Sequence, residues 1–314
     1  MTIRKITALL VCLTTLIPSL LSFAQQKSLP KSSPKAQNKT QTRSQKKVIT
    51  NDKSLLWRVK GKGLVKPSYL FGTIHRICPE DFLWTIKMEE NFQKSEKVCF
   101  EMDLDDTTVM TEITTGLMSN NGKKLSETLT QEQYNIFEKF IQDSLGLEMS
   151  FFDQIKPAAI PGMIIISAGG CEHPISYENR LTSFAKTSNK EILGLETPKE
   201  QLELLDQIPI DSVISQLMYT IQNNTEDTVD FKEMMKAYKD QDLPKLSKMM
   251  SSIEEPGIDM NAFLVNRNKK WIPRMTNKMN ANSIFFAVGA GHLYGKNGVI
   301  SLLRKDGYTV EPLK

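Results

Sequence analysis

Residues 283–312 read SIFFAVGAGHLYGKNGVISLLRKDGYTVEP, and they hold the clearest structural signal in the chain. Residues 283–288 form a short apolar and aromatic run, the composition of a buried strand. The run enters Gly289-Ala-Gly-His292, where glycine lets the backbone turn sharply or approach a ligand closely. Residues 298–305 have the spacing of a helix, which Gly307 stops, and residues 308–312 make a final strand. Strand, glycine turn, helix and strand in such quick succession describe an α/β chain.

The same pattern extends towards the N-terminus. Residues 54–60 (SLLWRVK) and 68–73 (SYLFGT) are β-rich runs on either side of a Gly-Lys-Gly turn, which predicts a hairpin or two neighbouring strands. Helical spacing over residues 82–95 leads into KVCFEM at 97–102, a buried strand that completes a strand–helix–strand unit. From about residue 105 to 187 strand signals nearly vanish and cap signals replace them, Thr130-Gln-Glu-Gln133 resembling a capping box. EILGL at 191–195 returns to strand, and Thr197-Pro-Lys-Glu200 opens a further helix with a capping box and proline at its first position. Further helices follow to about residue 281. The expected fold is α/β (α+β): a central mixed sheet, flanking helices and a large helical insertion at about residues 105–187 of a domain covering 51–314.

Ahead of that domain, residues 1–24 have a basic start (Arg4, Lys5), an apolar stretch broken by Pro18, and small residues at Ser22 and Ala24. This is the pattern of a cleaved signal peptide. Residues 25–50 are Lys, Gln, Ser, Thr and Pro with little to bury, which predicts a disordered basic linker. Nine of the 40 basic residues and none of the 36 acidic ones precede Asn51, so the domain carries 31 basic against 36 acidic residues, a net charge of −5. The positive charge of the whole chain is thus a property of its tail, and the charge balance gives no support to a basic nucleic-acid surface on the domain. Apart from the leader, the longest apolar stretch, residues 158–168, is too short to span a bilayer and contains Pro161. The expectation is an exported protein, periplasmic or secreted, with no transmembrane segment in its mature form.

The chemistry is suggested by position. His75 follows the strand ending at Thr73, Glu101 lies at the end of KVCFEM, Glu196 follows EILGL, and His292 follows SIFFAVGAG. Each stands at or just past the carboxyl end of a predicted strand, where open α/β sheets bind ligands, provided those strands run parallel. Two imidazoles with carboxylates suit a divalent ion such as Mn²⁺, Co²⁺ or Zn²⁺, whose bound water ionises near neutral pH and can attack a carbonyl. The plainer alternatives are a histidine bonded to backbone at a strand end, and buried glutamates held by helix N-termini. Gly289-x-Gly-x-x-x-Gly295 imitates a dinucleotide fingerprint, but too little chain follows for the rest of that motif.

YLFGTIH at 69–75, VCFEMD at 98–103, ILGLET at 192–197 and AVGAGHLYGKNGVISLLRKDGY at 287–308 resemble the TraB/GumN family, which includes the Tiki proteins. The resemblance covers essentially the whole domain, with its Gly-x-x-His, strand-end carboxylate and Gly-x-Gly-His falling on Gly72/His75, Glu101 and Gly289/Gly291/His292. It implies a metal-dependent hydrolase, protease-like or esterase-like, with His75, Glu101 and His292 as metal ligands and Glu101 also catalytic. Some related folds imply a metal-free His/Glu mechanism instead. Glu196 and Arg267 are further catalytic candidates, Arg267 as a cation for a developing oxyanion or a substrate carboxylate. Glu178 stands where many relatives carry an acid at a helix start, a place where an acid also simply complements the helix dipole.

Beyond the leader the chain has Cys78, Cys99 and Cys171. The resemblance implies a Cys78–Cys171 disulfide, in keeping with export, and leaves Cys99 as a buried thiol. A Cys₂His₂ zinc site from His75, Cys78, Cys171 and His173 is the competing arrangement; otherwise His173 belongs to a polar surface loop. The leading expectation is therefore an extracytoplasmic hydrolase acting on a peptide or ester substrate. The alternatives are a non-catalytic binding protein for a small molecule or peptide, and an accessory factor in surface polysaccharide assembly. Nothing in the sequence identifies the substrate or the oligomeric state.

Overall fold

A computed structural model describes residues 53–118, 124–167, 171, 174–223, 229–251 and 261–314. The expected leader and linker, and His173, lie outside the described residues. Six strands form one sheet: β1 (Leu56–Lys60), β2 (Ser68–Thr73), β3 (Lys97–Phe100), β4 (Glu191–Gly194), β5 (Ile284–Gly289) and β6 (Thr309–Leu313). Their order is β4-β3-β5-β2-β1-β6. The pairs β3/β4, β3/β5 and β2/β5 are parallel, whereas β1 runs antiparallel to both β2 and β6. The sheet is mixed, as expected, and β2, β3, β4 and β5 all end at one edge. The β1–β2 hairpin turns through Gly61, Lys62 and Gly63, all at positive φ, which explains two glycines in three residues.

Between β2 and β3 lies α1 (Ile86–Lys94). It begins later than its spacing predicts, because Thr85 is its N-cap, accepting a hydrogen bond from Met88 N at 3.2 Å. Phe82 and Trp84 are drawn instead into the aromatic core, against Tyr177 (ring centroids 4.6 Å apart) and Phe71 (5.6 Å).

Between β3 and β4 run α2 (Thr107–Met118), α3 (Gln131–Leu145), α4 (Met149–Phe152), α5 (Ile160–Ser167) and α6 (Tyr177–Thr187). Thr130 and Gln133 form the capping box of α3. After β4 come α7 (Pro198–Leu205), α8 (Ile210–Asn223), α9 (Val229–Lys239), α10 (Leu243–Ser251) and α11 (Arg267–Ala281), with α12 (Val299–Lys305) before β6. Two apolar clusters organise these helices. The larger surrounds the sheet and holds Phe71, Phe92, Phe285 and Trp271, with Tyr177 and Leu181 of α6. The smaller joins Phe137, Ile141, Phe152 and Ile160 to Leu205 and Leu217, so the helical lobe is built from chain on both sides of β4.

One polar tie locks α7 to α11. Glu200, the capping-box residue of α7, accepts from Arg274 Nη2 at 2.7 Å and Nη1 at 2.9 Å, while Nη1 also reaches Leu195 O at 2.6 Å. The Arg274 hydrogen bonds hold the Glu200 carboxyl down at about 2, below its ordinary 4.5. A lowered folded-state value means stabilisation that is complete above the unfolded carboxylate range and lost as pH falls through the folded value. Replacing Glu200 by Gln should therefore lower the urea midpoint at pH 7. The deficit should narrow progressively below about pH 4.5, measured by denaturation at a series of pH values.

Candidate active site

The parallel strands deliver their trailing residues to one place. Thr73 ends β2 and pairs in register with Gly289, which ends β5; His75 lies just beyond the first and His292 just beyond the second. Glu101 directly follows β3, and Glu196 lies just past β4. Backbone hydrogen bonds from Leu195 N (3.0 Å) and Glu196 N (2.7 Å) to Glu101 O extend the β3–β4 pairing, so the two glutamates leave the sheet side by side. Arg267 begins α11, straight after a π-helical turn at Asn261–Asn266. All these side chains are buried, His292 completely.

Arg267 is the hub. Its Nε donates to both Glu196 carboxylate oxygens at 3.0 Å, and Nη2 donates to Glu196 Oε2 at 2.7 Å and Glu101 Oε2 at 2.6 Å. Nη1 meets Phe263 O at 3.3 Å and His292 Nε2 at 3.2 Å. Burial opposes its charge, but the two carboxylates outweigh that and raise its pKa further. Gln201 Nε2 adds a bond to Glu196 Oε2 at 3.1 Å. Glu101 Oε1 accepts from Gly289 N at 2.9 Å, and a Cβ on Gly289 would come within 3.3 Å of that oxygen, so glycine permits the approach.

The tautomer of His292 follows from its neighbours. Asn268 Nδ2 donates to the carbonyls of His292 (3.2 Å) and Asn297 (2.9 Å), which makes Asn268 Oδ1 the acceptor facing His292 Nδ1 at 2.7 Å. The proton is on Nδ1, and Nε2 presents a lone pair to Arg267. Burial first and the Arg267 charge second push the ring pKa well below its usual value, so the imidazole is neutral. Trp271 covers it, ring centroids 4.4 Å apart.

His75 forms the other half. Its Nδ1 lies 3.1 Å from Glu178 Oε1, which also accepts from Thr73 Oγ1 at 2.9 Å; Ser176 Oγ donates to Glu178 Oε2 at 2.8 Å. Burial disfavours a charged ring, but Glu178 and then Glu101 overcome it and raise the His75 pKa. Glu178 responds oppositely: burial would raise it, yet His75 keeps it below the usual glutamate value. His75 lines a small pocket with Met234, Tyr238, Leu246 and the Gly289–Gly291 turn.

Cys78 and Cys171 are bonded, Cα atoms 5.9 Å apart, and Ile77 pairs with Ile175 beside them. The cysteines are therefore not free for a Cys₂His₂ zinc site, and His75 is turned to Glu178. Cys99 stays a buried thiol, its pKa pushed up to about 12 by burial. Sequence reasoning passed over Thr73, Ser176, Gln201 and Asn268. Asn268 adjoins Arg267 and Thr73 lies within GTIH, but Asn268 acts on His292, 24 residues away, and Thr73 on Glu178, 105 residues away.

The donor chemistry of His75, Glu101 and His292 fits a divalent ion. His292 is neutral with a lone pair on Nε2, His75 is oriented by a carboxylate as ligating histidines are, and Glu101 Oε1 lies 3.9 Å from His292 Nε2. Their spacing leaves the centre to Arg267: among the described residues no three His, Cys, Asp or Glu side chains stand close enough to hold a metal. For His292 Nε2 to ligate, it must release Arg267 Nη1. The expected role of Arg267 as a cation for a developing oxyanion or a substrate carboxylate meets the same crowding, because all three of its nitrogens are already engaged.

A mixed α/β sheet with a buried His/Glu/Arg centre at its parallel carboxyl edge defines the class. The TraB/PrgY/gumN family model matches residues 55–312, and the chain belongs to that family. It is 24% identical to Metalloprotease TIKI2 of Danio rerio over 82% of this chain and 60% of that protein. It is 25% identical to Metalloprotease TIKI homolog of Nematostella vectensis (84% and 68%) and 23% identical to Metalloprotease TIKI1 of Homo sapiens (82% and 61%). The chain thus spans about 60% of the length of the first of these relatives. No solved structure matches it.

Arg267→Met would leave Glu101 and Glu196 buried without their counter-charge. It should cost about 3–5 kcal/mol at neutral pH, the usual penalty for breaking a buried ion pair from one side. Chemical denaturation of the variant checks this; a loss under about 1 kcal/mol, the surface-pair range, would refute it.

Proposed function

We propose that this chain is an extracytoplasmic hydrolase that adds water across an acyl bond, of peptide or ester type, with His75, Glu101 and His292 as its working centre. The observation that carries the reading is the convergence of His292, Glu101 and Glu196 on one buried arginine at the ligand-binding edge of a parallel sheet, with His75 close enough to feel the charges of Glu101 and Arg267. The names of the relatives, metalloproteases, favour a peptide bond and a divalent ion, Mn²⁺, Co²⁺ or Zn²⁺. His75, Glu101 and His292 would hold that ion once His292 Nε2 releases Arg267 Nη1, and the ion would supply a water that ionises near neutral pH.

The remaining work falls to the chain itself. Asn268 and Glu178 orient the two imidazoles. Glu101 has in Oε1 an oxygen held by one backbone N–H, and it takes the proton of the attacking water and returns it to the leaving group. Arg267 bridges Glu101 and Glu196 through one nitrogen and supplies the counter-charge that lets both carboxylates stay buried side by side. The disulfide supports an oxidising compartment. Among the described residues no helix is long and apolar enough to cross a membrane.

The test is product analysis on a peptide and ester library, with elemental analysis of protein dialysed against each metal. About one ion per chain and turnover lost in folded His75→Ala and Glu101→Ala variants are expected. Metal content far below this level, with hydrolysis the same in wild type and variants, would overturn the reading. Tight ligand retention without turnover would identify a binding protein instead.

A further inference from the structure

Glu178 needs an explanation that a helix end does not provide. It lies in the first turn of α6, where an acid complements the helix dipole. Yet the cap is already made by Ser176, whose Oγ accepts from Asn179 N at 3.2 Å. Glu178 is instead buried, which costs a carboxylate several kcal/mol unless partners compensate. Its partners converge from two directions: Thr73 and His75 on Oε1, Ser176 on Oε2.

The surrounding chain is tied so that this meeting is fixed. The loop carrying His75 is joined to the segment entering α6 by the Cys78–Cys171 bond and by the reciprocal Ile77 N to Ile175 O (3.0 Å) and Ile175 N to Ile77 O (2.9 Å) hydrogen bonds. Tyr177, next to Glu178, exchanges hydrogen bonds with Leu83 N and O at 2.9 Å, and Tyr238 OH donates to Gly72 O at 3.0 Å beneath the same loop. A covalent bond, a backbone bridge and two tyrosines thus hold one imidazole against one carboxylate.

We propose that Glu178 is the positioning residue of the centre. It accepts a hydrogen bond from His75 Nδ1, fixes that ring in the Nδ1–H tautomer and turns the Nε2 lone pair towards the pocket beside Gly289–Gly291. Both nitrogens of His292 and all three of Arg267 are engaged within the protein, whereas His75 Nε2 has no hydrogen-bond partner among the described residues. His75 Nε2 is therefore the nitrogen of the centre offered outward, to an ion or to a substrate. The catalytic consequence rests on the hydrolytic reading above; the tautomer does not.

Long-range ¹H–¹⁵N correlation spectra of the full chain, recorded at a pH above the raised His75 pKa so that the ring is neutral, read the tautomer directly, and with three histidines in the sequence the spectrum is simple to assign. Wild type should show His75 protonated on Nδ1. Glu178→Gln, whose amide oxygen still accepts, should keep that form. Glu178→Ala should release the ring to the Nε2–H form that imidazole side chains favour in water. His292, locked by Asn268, is the internal control for folding. If Glu178→Ala does not fold, Glu178→Asp decides, since its shorter side chain withdraws the oxygen from Nδ1 and should shift His75 the same way.

A wild-type His75 protonated on Nε2, or one that keeps Nδ1–H in folded Glu178→Ala or Glu178→Asp, overturns the proposal whether or not any substrate is turned over. Where a substrate is found, Glu178→Ala should lower kcat by roughly 10–100-fold with KM little changed, and Glu178→Gln should recover much of it. Loss of turnover in none of these variants would overturn the catalytic role while leaving the tautomer result to stand alone.

Discussion

The structure depends on one buried cation. Arg267 opens α11 where the ends of β3 and β4, the π-helical turn before α11 and the turn after β5 meet, and it bonds to a side chain or carbonyl from each. Two carboxylates could not be buried side by side without it, because their repulsion and desolvation would far exceed what the surrounding packing supplies. The guanidinium fork suits this task in a way that an ammonium would not: its planar array of N–H groups serves two carboxylates and an imidazole at once. The π-helical turn before Arg267 carries its carbonyl partner Phe263, so the irregular backbone is part of the same assembly.

Around this hub the centre has an inner and an outer half. Glu101, Glu196, Arg267 and His292 form a closed network in which each group is fixed by the others. His75 and Glu178 form a separate pair, linked to that network by charge, and the pocket opens on their side. Such a division lets a fold keep rigid charge placement in one half while leaving a nitrogen available in the other.

Much of the sheet could be read from the chain because each strand announced itself locally. SIFFAVGAG is apolar and ends in glycine, the Gly-Lys-Gly turn defines the hairpin, and Thr130 and Thr197 cap helices as their spacing predicts. Strand-end position also brought His75, Glu101, Glu196 and His292 into consideration, since parallel order turns four distant residues into neighbours. What could not be read was partnership. Arg267 lies 166 residues from Glu101, and a basic residue opening a polar helix looks like any solvated one. Glu178 resembled a dipole-complementing acid because its partner is 103 residues away. The late start of α1 was hidden for a similar reason: the pull on Phe82 and Trp84 comes from Phe71 and Tyr177 in other elements.

The Cys78–Cys171 bond closes a covalent ring around most of the helical lobe, 93 residues from one sulfur to the other. A single backbone cut anywhere inside that ring would leave one molecule rather than two fragments. The part bearing β1, β2 and His75 would remain tethered to the part bearing β4, β5 and His292, and the two halves of the centre could not diffuse apart. In surroundings where proteolysis is common, the chain is thus built to survive a nick in its own lobe as a two-piece but undivided protein.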